Sequence, residues 1–381
     1  MKNILIIHET LAGGGAERVL IEYLKNFDYT KYNVTLLLIK NDCLPHYRDA
    51  IPKQVKVLFV TQRKRFIKGE THLFRWGWHD FIEKRQLKKL PLGNYDVIIS
   101  FTAGSTLKYH SHLVEKATRN ITWVHIDFEK NHWTKVFFKS KSHENELYNR
   151  MTDIVFVAET AKTALNRVFQ INDSIHQKVI YNPIDRDDIL SKSSEFNVNK
   201  AKFTVIGVGR LVNPKRFDRF IDVAKILIDK NMDMEFWILG TGDLETSLKE
   251  KVKNLNLADH IFFKGFVDNP YPSMKSADVF LLTSDTEAYP TVVCESLVLG
   301  TPVITTEVSG AKELLGESEF GIITRDMNPE TIAAELEKFY FDKQFRDSLA
   351  SKAQERAGIF NIDKTMNEIY QLLDDGNTIV E

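Results

Sequence analysis

The hydrophobic residues of this chain fall into short apolar runs, and a polar turn followed by a longer amphipathic stretch separates each run from the next. Runs of this kind are typical of strands buried on both faces of a parallel sheet, and the stretches between them are typical of helices. Alternation of the two predicts a doubly wound α/β fold. The first half contains predicted strands at 2–7, 34–39, 55–60, 97–100, 121–127, 153–157 and 178–185.

The same alternation starts again in the second half, after a mostly polar stretch at 183–200 that we interpret as a linker. The predicted strands there are 203–211, 236–239, 261–266, 279–282 and 302–305. A helix is predicted at 292–299, because Gly300 and then Pro302 are the usual residues at a helix C-terminus. We therefore predict two domains, residues 1–185 and residues 186–360.

The length and composition agree with two ordinary globular domains. The chain has 381 residues, of which 43% are hydrophobic and 27% charged, and this is enough for two cores. Its two cysteines, Cys43 and Cys294, lie far apart in sequence, which argues against a disulfide framework or a zinc site. The first apolar run is too short for a signal peptide, and no run reaches the ~18 residues of a membrane span. We expect a cytoplasmic protein.

The net charge of −1 hides a strong asymmetry along the chain. Residues 1–185 carry 28 basic and 19 acidic residues, whereas the remainder carries 23 basic and 33 acidic ones. The excess is concentrated at 61–90, where nine basic residues and five Phe or Trp residues accompany only three acids. Three interpretations stay open: contact with an anionic membrane surface at the inner face of the cell membrane, contact with an acceptor that carries phosphates, or a helix pair with its aromatic residues turned inward. No nucleic-acid motif accompanies this segment, so we expect no nucleic-acid partner.

Two acids and two cations are the strongest candidates for chemistry in the second half. Glu287 follows the predicted strand 279–282, and Glu295 lies near the start of the next helix. In open α/β sheets, ligands bind at this carboxyl edge of the strands. Arg210 and Lys215 flank one turn after an earlier strand, and such a pair suits a diphosphate. The alternative interpretation of the two acids is a pair of ordinary solvated carboxylates.

The first half offers a glycine-rich turn and a histidine at the same kind of position. Gly13, Gly14 and Gly15 join the first strand to a helix, where backbone amides and the helix dipole could hold a phosphate. The alternative is a flexible turn, because the sequence is neither the GxGxxG fingerprint nor a P-loop. His125 ends the strand 121–127 and could be an active-site hydrogen-bonding group or base, or simply structural. The DxD pattern at 185–187, which resembles a metal-binding motif, is interpreted as linker charge.

Taken in order, these segments resemble a known enzyme family. The segments GGGAERVL, WVH, YNPID, GVGRL followed by KRFD, ILGTGD and KGFVDNPYPSMKSADVFLLTSDTEAYP, with two glutamates spaced E-x7-E and then GTPVIT, are similar to the family-4 retaining glycosyltransferases of the GT-B fold. The resemblance covers nearly the whole chain. It implies two Rossmann-like domains facing across a cleft, with a C-terminal helix at 361–381 that crosses back to the N-terminal domain.

The resemblance also implies an activity and a set of site residues. The chain would move a hexose or N-acetylhexosamine from a UDP-sugar to a lipid-linked or polysaccharide acceptor, without a metal or cofactor. The donor's own phosphate would accept the acceptor's proton on the front face. Glu287 and His125 would lie at the reacting sugar. The donor would be held by Gly14, Gly15, Arg210, Lys215, Phe266, Tyr289, Thr291, Val292 and Glu295, with Glu295 on the ribose and Phe266 at the base.

Two departures from the family pattern and two other functions are also considered. Ala288 replaces the more common Gly of the family's E-G-F segment, which restricts the backbone beside the sugar's hydroxyl groups, and Ala158 replaces a common Ser before Glu159. A sugar-nucleotide epimerase of the same fold and a non-catalytic sugar-nucleotide-binding subunit are the alternatives. The E-x7-E spacing argues against the first, and the intact candidate residues argue against the second.

Overall fold

The computed structural model describes residues 1–62 and 78–374, and these residues form two compact units. The first unit contains Met1–Pro183 and Asp363–Glu381, and the second contains Ile184–Ile362. The boundaries thus fall at 183/184 and 362/363, where the sequence predicted 185/186 and 360/361. Among the described residues, no helix is long and apolar enough to cross a membrane.

The secondary-structure elements alternate along the chain as the sequence predicted. The strands are β1 (Lys2–His8), β2 (Tyr32–Lys40), β3 (Lys56–Thr61), β4 (Tyr95–Ser100), β5 (Ala117–Val124), β6 (Asp153–Phe156), β7 (His176–Val179), β8 (Phe203–Val208), β9 (Met234–Leu239), β10 (Ile261–Gly265), β11 (Val279–Leu282), β12 (Val303–Thr305) and β13 (Ile322–Ile323). The helices are α1 (Gly15–Asn26), α2 (Pro45–Asp49), α3 (Trp78–Lys88), α4 (Ser105–Ser111), α5 (Lys141–Tyr148), α6 (Glu159–Val168), α7 (Arg186–Lys192), α8 (Phe217–Asp229), α9 (Glu245–Asn254), α10 (Tyr271–Ser276), α11 (Thr291–Leu299), α12 (Ala311–Leu315), α13 (Pro329–Phe341), α14 (Lys343–Arg356) and α15 (Ile362–Asp374). Short 3-10 turns lie at Val114–Lys116, Trp133–Phe137, Asn213–Lys215 and Ala357–Ile359.

Each unit is built on one parallel sheet. The first sheet has seven strands in the order β3-β2-β1-β4-β5-β6-β7, and the second has six in the order β10-β9-β8-β11-β12-β13. In the first sheet, the strands before β4 are added on one side of β1 and the later strands on the other side, so the strand order reverses between β1 and β4. The second sheet has the same reversal between β8 and β11, as in a doubly wound Rossmann fold. The predicted fold class of two doubly wound parallel sheets is confirmed. The sequence analysis missed β13, which contains only two residues.

Burial explains why the apolar runs became central strands. In β1 the five residues from Ile4 to His8 are all buried, and Ile4 is in register with both Val34 of β2 and Val97 of β4. Helix α8 carries its apolar residues on one face, including Phe220 and Leu227, and packs on the second sheet. Burial of such side chains contributes about 1.5–3 kcal/mol each to stability.

The C-terminal helix α15 packs within the first unit. The Tyr370 ring stacks on Tyr32 with the centroids 5.4 Å apart, and its hydroxyl donates to the Asn26 carbonyl at 2.8 Å. Lys2 Nζ lies 2.9 Å from an Asp374 carboxylate oxygen at the end of the helix. These contacts connect the end of the described chain to β1, β2 and α1.

The stretch 183–200, predicted as a linker, contains a short helix instead. Helix α7 begins after Asp185, whose carboxylate accepts the backbone N–H of Asp188 at 2.9 Å, and Ile189 is buried. Asp185 is therefore an N-cap, and the DxD pattern belongs to a helix start rather than to linker charge. The preceding strand β7 ends at Val179, short of the predicted 185, because its one neighbour in the sheet, β6, ends at Phe156, which is in register with Val179.

Candidate functional site

The candidate site of the second unit lies where the order of its sheet reverses. Strands β8 and β11 are neighbours there, and the chain leaves them in opposite directions along the sheet. The loop after β8 carries Arg210 and Lys215, and the loop after β11 carries Glu287. The carboxyl edge at such a reversal is the usual ligand position in open α/β sheets.

An unusual backbone conformation shapes the turn that carries Lys215. Residues Asn213–Lys215 form a single 3-10 turn, and Arg216 then adopts a left-handed conformation with φ 51° before α8 begins. For a residue other than glycine this conformation costs roughly 1–2 kcal/mol. The turn is therefore held by interactions elsewhere, since its own backbone does not favour it.

The side chains of Lys215 and Glu287 meet across the two loops. Lys215 Nζ donates to Glu287 Oε1 at 2.6 Å, and Ser284 Oγ donates to the same oxygen at 2.7 Å. Glu287 is 13% exposed and Lys215 24% exposed. The structure thus brings together one predicted sugar-side acid and one predicted diphosphate cation, and leaves both accessible to solvent.

Arg210 lies in the same loop region but is exposed to solvent. Its loop packs tightly against the loop after β9, because the Leu211 N–H donates to the Thr241 carbonyl at 2.9 Å. Gly240 permits this approach: its φ is +134°, and a Cβ there would lie 1.9 Å from the Gly209 carbonyl oxygen. The position of Arg210 therefore depends on a glycine in the neighbouring loop.

Glu295 and the residues around the start of α11 occupy less accessible positions. Glu295 lies in α11 and is 3% exposed, whereas Thr291 and Val292, in the first turn of the helix, are half-buried. Tyr289, just before the helix, is buried. Phe266 follows β10 and is exposed.

Ala288 fits its position without backbone strain. Among the described residues other than glycine, positive φ angles occur only at Arg216, Asn231, Asn256 and Ser318. Ala288 is therefore outside the left-handed region, and its methyl group needs no glycine-like conformation. The Ala288 carbonyl oxygen lies close to Gly310: a Cβ atom added to Gly310 would be 2.7 Å from this oxygen.

In the first unit, the glycine-rich turn follows β1 and His125 follows β5, so both lie at the carboxyl edge of the sheet with β4 between their strands. Gly14 is the N-cap of α1 and makes no side-chain capping bond, and Gly15 has open space where a Cβ would be. The first turn of α1 thus offers uncapped backbone amides, the arrangement that suits an anion. Gly13, with φ +104°, makes the turn possible.

His125 is a half-buried, neutral histidine whose Nε2 atom is fully buried. Desolvation of the ring is the main cause that lowers the pKa of His125 to about 3, and the neighbouring His8 is the second cause. The Phe101 carbonyl opposes this shift of the pKa, and Nε2 is buried without a hydrogen-bond partner in the described residues. At neutral pH, His125 is therefore uncharged and a weak base. This arrangement favours a hydrogen-bonding role over proton abstraction.

Sequence reasoning missed three residues that shape this candidate site. Ser284 bonds Glu287 directly, and Asp285 and Arg216 bond one another between the two loops. Asp285 stands two residues before Glu287, so proximity in sequence was an available signal. Nothing in the sequence alone indicates that Arg216, 69 residues away, is its partner.

Comparison with known proteins identifies the second unit. Residues 188–356 match the family described as glycosyl transferases group 1. The second unit is a group 1 glycosyl transferase domain. Together with the two parallel sheets, this match confirms the resemblance to glycosyltransferases of the GT-B fold.

Similar proteins extend the match over the whole chain. An enzyme of Campylobacter jejuni subsp. jejuni serotype O:2, named GalNAc-alpha-(1->4)-GalNAc-alpha-(1->3)-diNAcBac-PP-undecaprenol alpha-1,4-N-acetyl-D-galactosaminyltransferase, is 26% identical over 98% of both chains. A second enzyme of that organism, N-acetylgalactosamine-N,N'-diacetylbacillosaminyl-diphospho-undecaprenol 4-alpha-N-acetylgalactosaminyltransferase, is 33% identical, but its match spans only 48% of this chain and 50% of its own length. The crystal structure of Anabaena Alr3699/HepE with UDP and glucose superposes with a TM-score of 0.78 at 20% identity, over 98% of this chain and 99% of the other.

Proposed function

We propose that this group 1 glycosyltransferase is a retaining enzyme that moves a hexose or N-acetylhexosamine from a UDP-sugar to a lipid-linked or polysaccharide acceptor in cell-surface glycan synthesis. The observation that carries the proposal is the Lys215–Glu287 pair at the reversal point of the second sheet. The names of the two Campylobacter relatives support the lipid-linked acceptor, and the UDP bound to the Anabaena protein supports the nucleotide.

The residues suit the charge that develops when a sugar leaves its nucleotide. Negative charge grows on the diphosphate, and the cations Lys215 and Arg210 stabilise it without a metal ion. Lys215 is bonded to Glu287 in the structure, so a bound diphosphate would compete with that carboxylate for the ammonium group. Glu287 would then face the reacting sugar, where positive charge develops. The roles of Gly14, Gly15 and His125 in this reaction stay predictions from the resemblance.

Nucleotide sugars are expected to stabilise the folded protein. A ligand at 100 times its Kd stabilises the folded state by about 2.7 kcal/mol, which for a unit of this size raises Tm by roughly 5–10 °C. The measurement is thermal unfolding with a panel of UDP- and GDP-sugars, with and without EDTA. We expect a UDP-sugar to give the largest shift, and EDTA to leave it unchanged.

The matched variants are Lys215→Ala in the candidate site and Lys253→Ala on an exposed part of α9. The first should lose most of the shift and the second should keep it. Transfer to a polyprenyl-diphosphate-linked glycan, with the anomeric configuration of the product read by NMR, then tests the acceptor and the retaining course. Absence of any shift or transfer across the panel would contradict the proposal, and conversion of the donor to an epimer without acceptor would favour the epimerase.

We further propose that the outward face of α3 binds an anionic membrane, where a lipid-linked acceptor would be found. This helix contains most of the described residues of the basic segment predicted at 61–90, and residues 63–77 of that segment lie outside the described residues. Phe81, Lys84, Arg85 and Lys88 have the spacing of one helix face, and all four are exposed, with Phe81 at 67%.

The acidic side chains of α3 form ion pairs on the inward side of the helix. Lys108 Nζ lies 3.3 Å from a carboxylate oxygen of both Asp80 and Glu83, and His112 Nε2 lies 2.8 Å from the other Glu83 oxygen. Asp80, Glu83 and His112 have the spacing of a metal site, but the Lys108 ammonium group already supplies a positive charge there. The outward face is left with cations and aromatic surface, which attract anionic lipid.

Charge reversal on this face should release the protein from anionic vesicles. Each cation near such a surface contributes about 1 kcal/mol, so Arg85→Glu with Lys88→Glu should weaken binding by at least ten-fold. The measurement is co-sedimentation with phosphatidylglycerol vesicles, with phosphatidylcholine vesicles as reference. The control pair, Lys249→Glu with Lys253→Glu on α9, makes the same charge change and should leave binding unchanged. Equal losses in both pairs would contradict a role of the α3 face.

A further inference from the structure

The loops that carry Lys215 and Glu287 are joined by a set of bonds that the proposed chemistry does not use. The Asp285 N–H donates to the Pro214 carbonyl at 2.9 Å. Thr283 Oγ1 donates to the Arg216 carbonyl at 3.0 Å. These contacts place the turn before α8 directly against the loop after β11.

Two arginines reinforce this contact through one carboxylate. Arg216 Nη1 lies 3.1 and 3.0 Å from the two oxygens of Asp285, and Arg219 Nη2 lies 2.7 Å from one of them. Arg219 also donates to the Thr283 carbonyl at 2.6 Å and is buried. We call Arg216, Arg219 and Asp285 the arginine–aspartate clamp.

The left-handed residue Arg216 is part of this clamp. Its guanidinium also forms a paired contact with Asp218, from Nε at 2.9 Å and from Nη2 at 2.8 Å. From its left-handed position, Arg216 thus bonds Asp285 on the facing loop and Asp218 in its own helix. A left-handed residue next to Lys215 is therefore maintained by ion pairs to the facing loop, and strain of this kind is often found at functional positions.

We propose that the arginine–aspartate clamp is a positioning device that fixes Lys215 relative to Glu287. This inference rests on the proposed function, because it assumes that these two side chains act together on the donor. None of the three clamp residues needs to touch the donor. Their effect is to hold two loops, from β8 and from β11, in one register, so that the ammonium and carboxylate groups keep the spacing that the reaction requires.

The decisive substitution is Asp285→Asn, which keeps the shape of the side chain and removes the charge that both arginines share. A displacement of about 1 Å at a reacting group can cost about 100-fold in rate. We expect kcat for sugar transfer to fall about 10–100-fold while the donor KM changes by less than about three-fold, with active protein counted by UDP-binding stoichiometry. Glycine tolerates the left-handed turn but lacks the guanidinium, so Arg216→Gly should lower kcat by a similar factor.

The double variant Arg216→Gly with Asp285→Asn tests whether the residues act through one another. In a shared clamp, the double variant loses no more than about two-fold beyond the worse single variant, because partners in one network are not additive. The matched control is Asp222→Asn on α8, which breaks a 2.6 Å pair with Lys251 at nearly the same exposure as Asp285, 40% against 42%. This control should leave kcat unchanged.

Amide hydrogen exchange separates failure of the clamp from failure of the proposed function. In the ligand-free protein, Asp285→Asn should speed exchange in peptides covering 213–219 and 284–288, and Asp222→Asn should not. If the chain transfers no sugar, faster exchange there still supports a clamp between the loops, while the proposed function fails. Unchanged exchange, unchanged kcat, or fully additive losses in the double variant would overturn the proposal.

Discussion

Replacing Glu287 with glutamine is expected to lower kcat for sugar transfer by about 10²–10³-fold, the usual effect of removing one group that stabilises the transition state. The substitution keeps the size of the side chain, and the glutamine oxygen can still accept from Ser284, which bonds Glu287 at 2.7 Å. It removes the negative charge that pairs with Lys215 at 2.6 Å. The fold of the second unit should therefore survive, while the charge facing the sugar is lost.

Nucleotide affinity should move in the opposite direction from turnover. Without its partner carboxylate, Lys215 no longer has to exchange Glu287 for the diphosphate, so UDP should bind at least as tightly as before. Calorimetric titration with UDP and steady-state kinetics with the donor measure the two quantities on the same preparation. This divergence identifies a group that acts on the transition state rather than on donor binding.

Glu250→Gln provides the matched control, because Glu250 is an exposed acid on α9, away from the two loops. It should leave both kcat and UDP affinity unchanged. Turnover of Glu287→Gln within two-fold of the unmodified protein would remove Glu287 from the proposed mechanism. A parallel loss of UDP affinity would instead assign it to donor binding.

Gly240→Ala is expected to destabilise the second unit and to displace the loop that carries Arg210. The φ of Gly240 is +134°, and a Cβ there would lie 1.9 Å from the Gly209 carbonyl oxygen. The obstacle is backbone, so no side-chain rotation relieves it. The chain must instead move the Gly209–Leu211 segment or the turn after β9, where the Gly240 N–H donates to the Gly265 carbonyl at 2.7 Å.

The size of the effect follows from two separate costs. An unfavourable backbone conformation costs about 1–3 kcal/mol, and overpacking costs about 1–3 kcal/mol more. At 2–4 °C for each kcal/mol in a unit of this size, Tm should fall by roughly 5–20 °C. Thermal unfolding followed by circular dichroism measures the fall in Tm. UDP titration at a temperature where the variant is folded measures how much UDP affinity is lost when the loop that carries Arg210 is displaced.

Gly358→Ala is the control for this substitution, because Gly358 lies in the same unit and a Cβ there meets nothing within 4 Å. It should change Tm by no more than a degree or two. A Gly240→Ala variant as stable as Gly358→Ala, with unchanged UDP affinity, would show that the loop after β9 does not constrain Arg210.

Much of the fold followed from the pattern of apolar residues. Parallel strands buried on both faces must be continuous apolar runs, which is why β1 and β11 were predicted close to their actual bounds. Strand β13 was missed because two residues give no periodicity. Helix α7 was missed because its polar sequence buries only Ile189, so nothing distinguished it from a linker.

The candidate site followed from sequence only in part. Glu287 and Lys215 were singled out by their positions after strands, and the structure brings them to 2.6 Å. The contribution of Arg216 could not be foreseen, since its sequence neighbours suggest an ordinary solvated cation. Its partner Asp285 becomes a neighbour only when β8 and β11 pair, which joins residues 69 positions apart.

The two-sheet architecture and the resemblance to glycosyltransferases could be predicted from local patterns: apolar runs, glycine turns and the spacing of two acids on one loop and helix. Which charges meet depends on the folded chain. Long-range pairing of strands placed Lys215 beside Glu287 and the two clamp arginines on Asp285. Such contacts depend on distances of a few ångströms between segments far apart in the chain, and no local pattern contains that information.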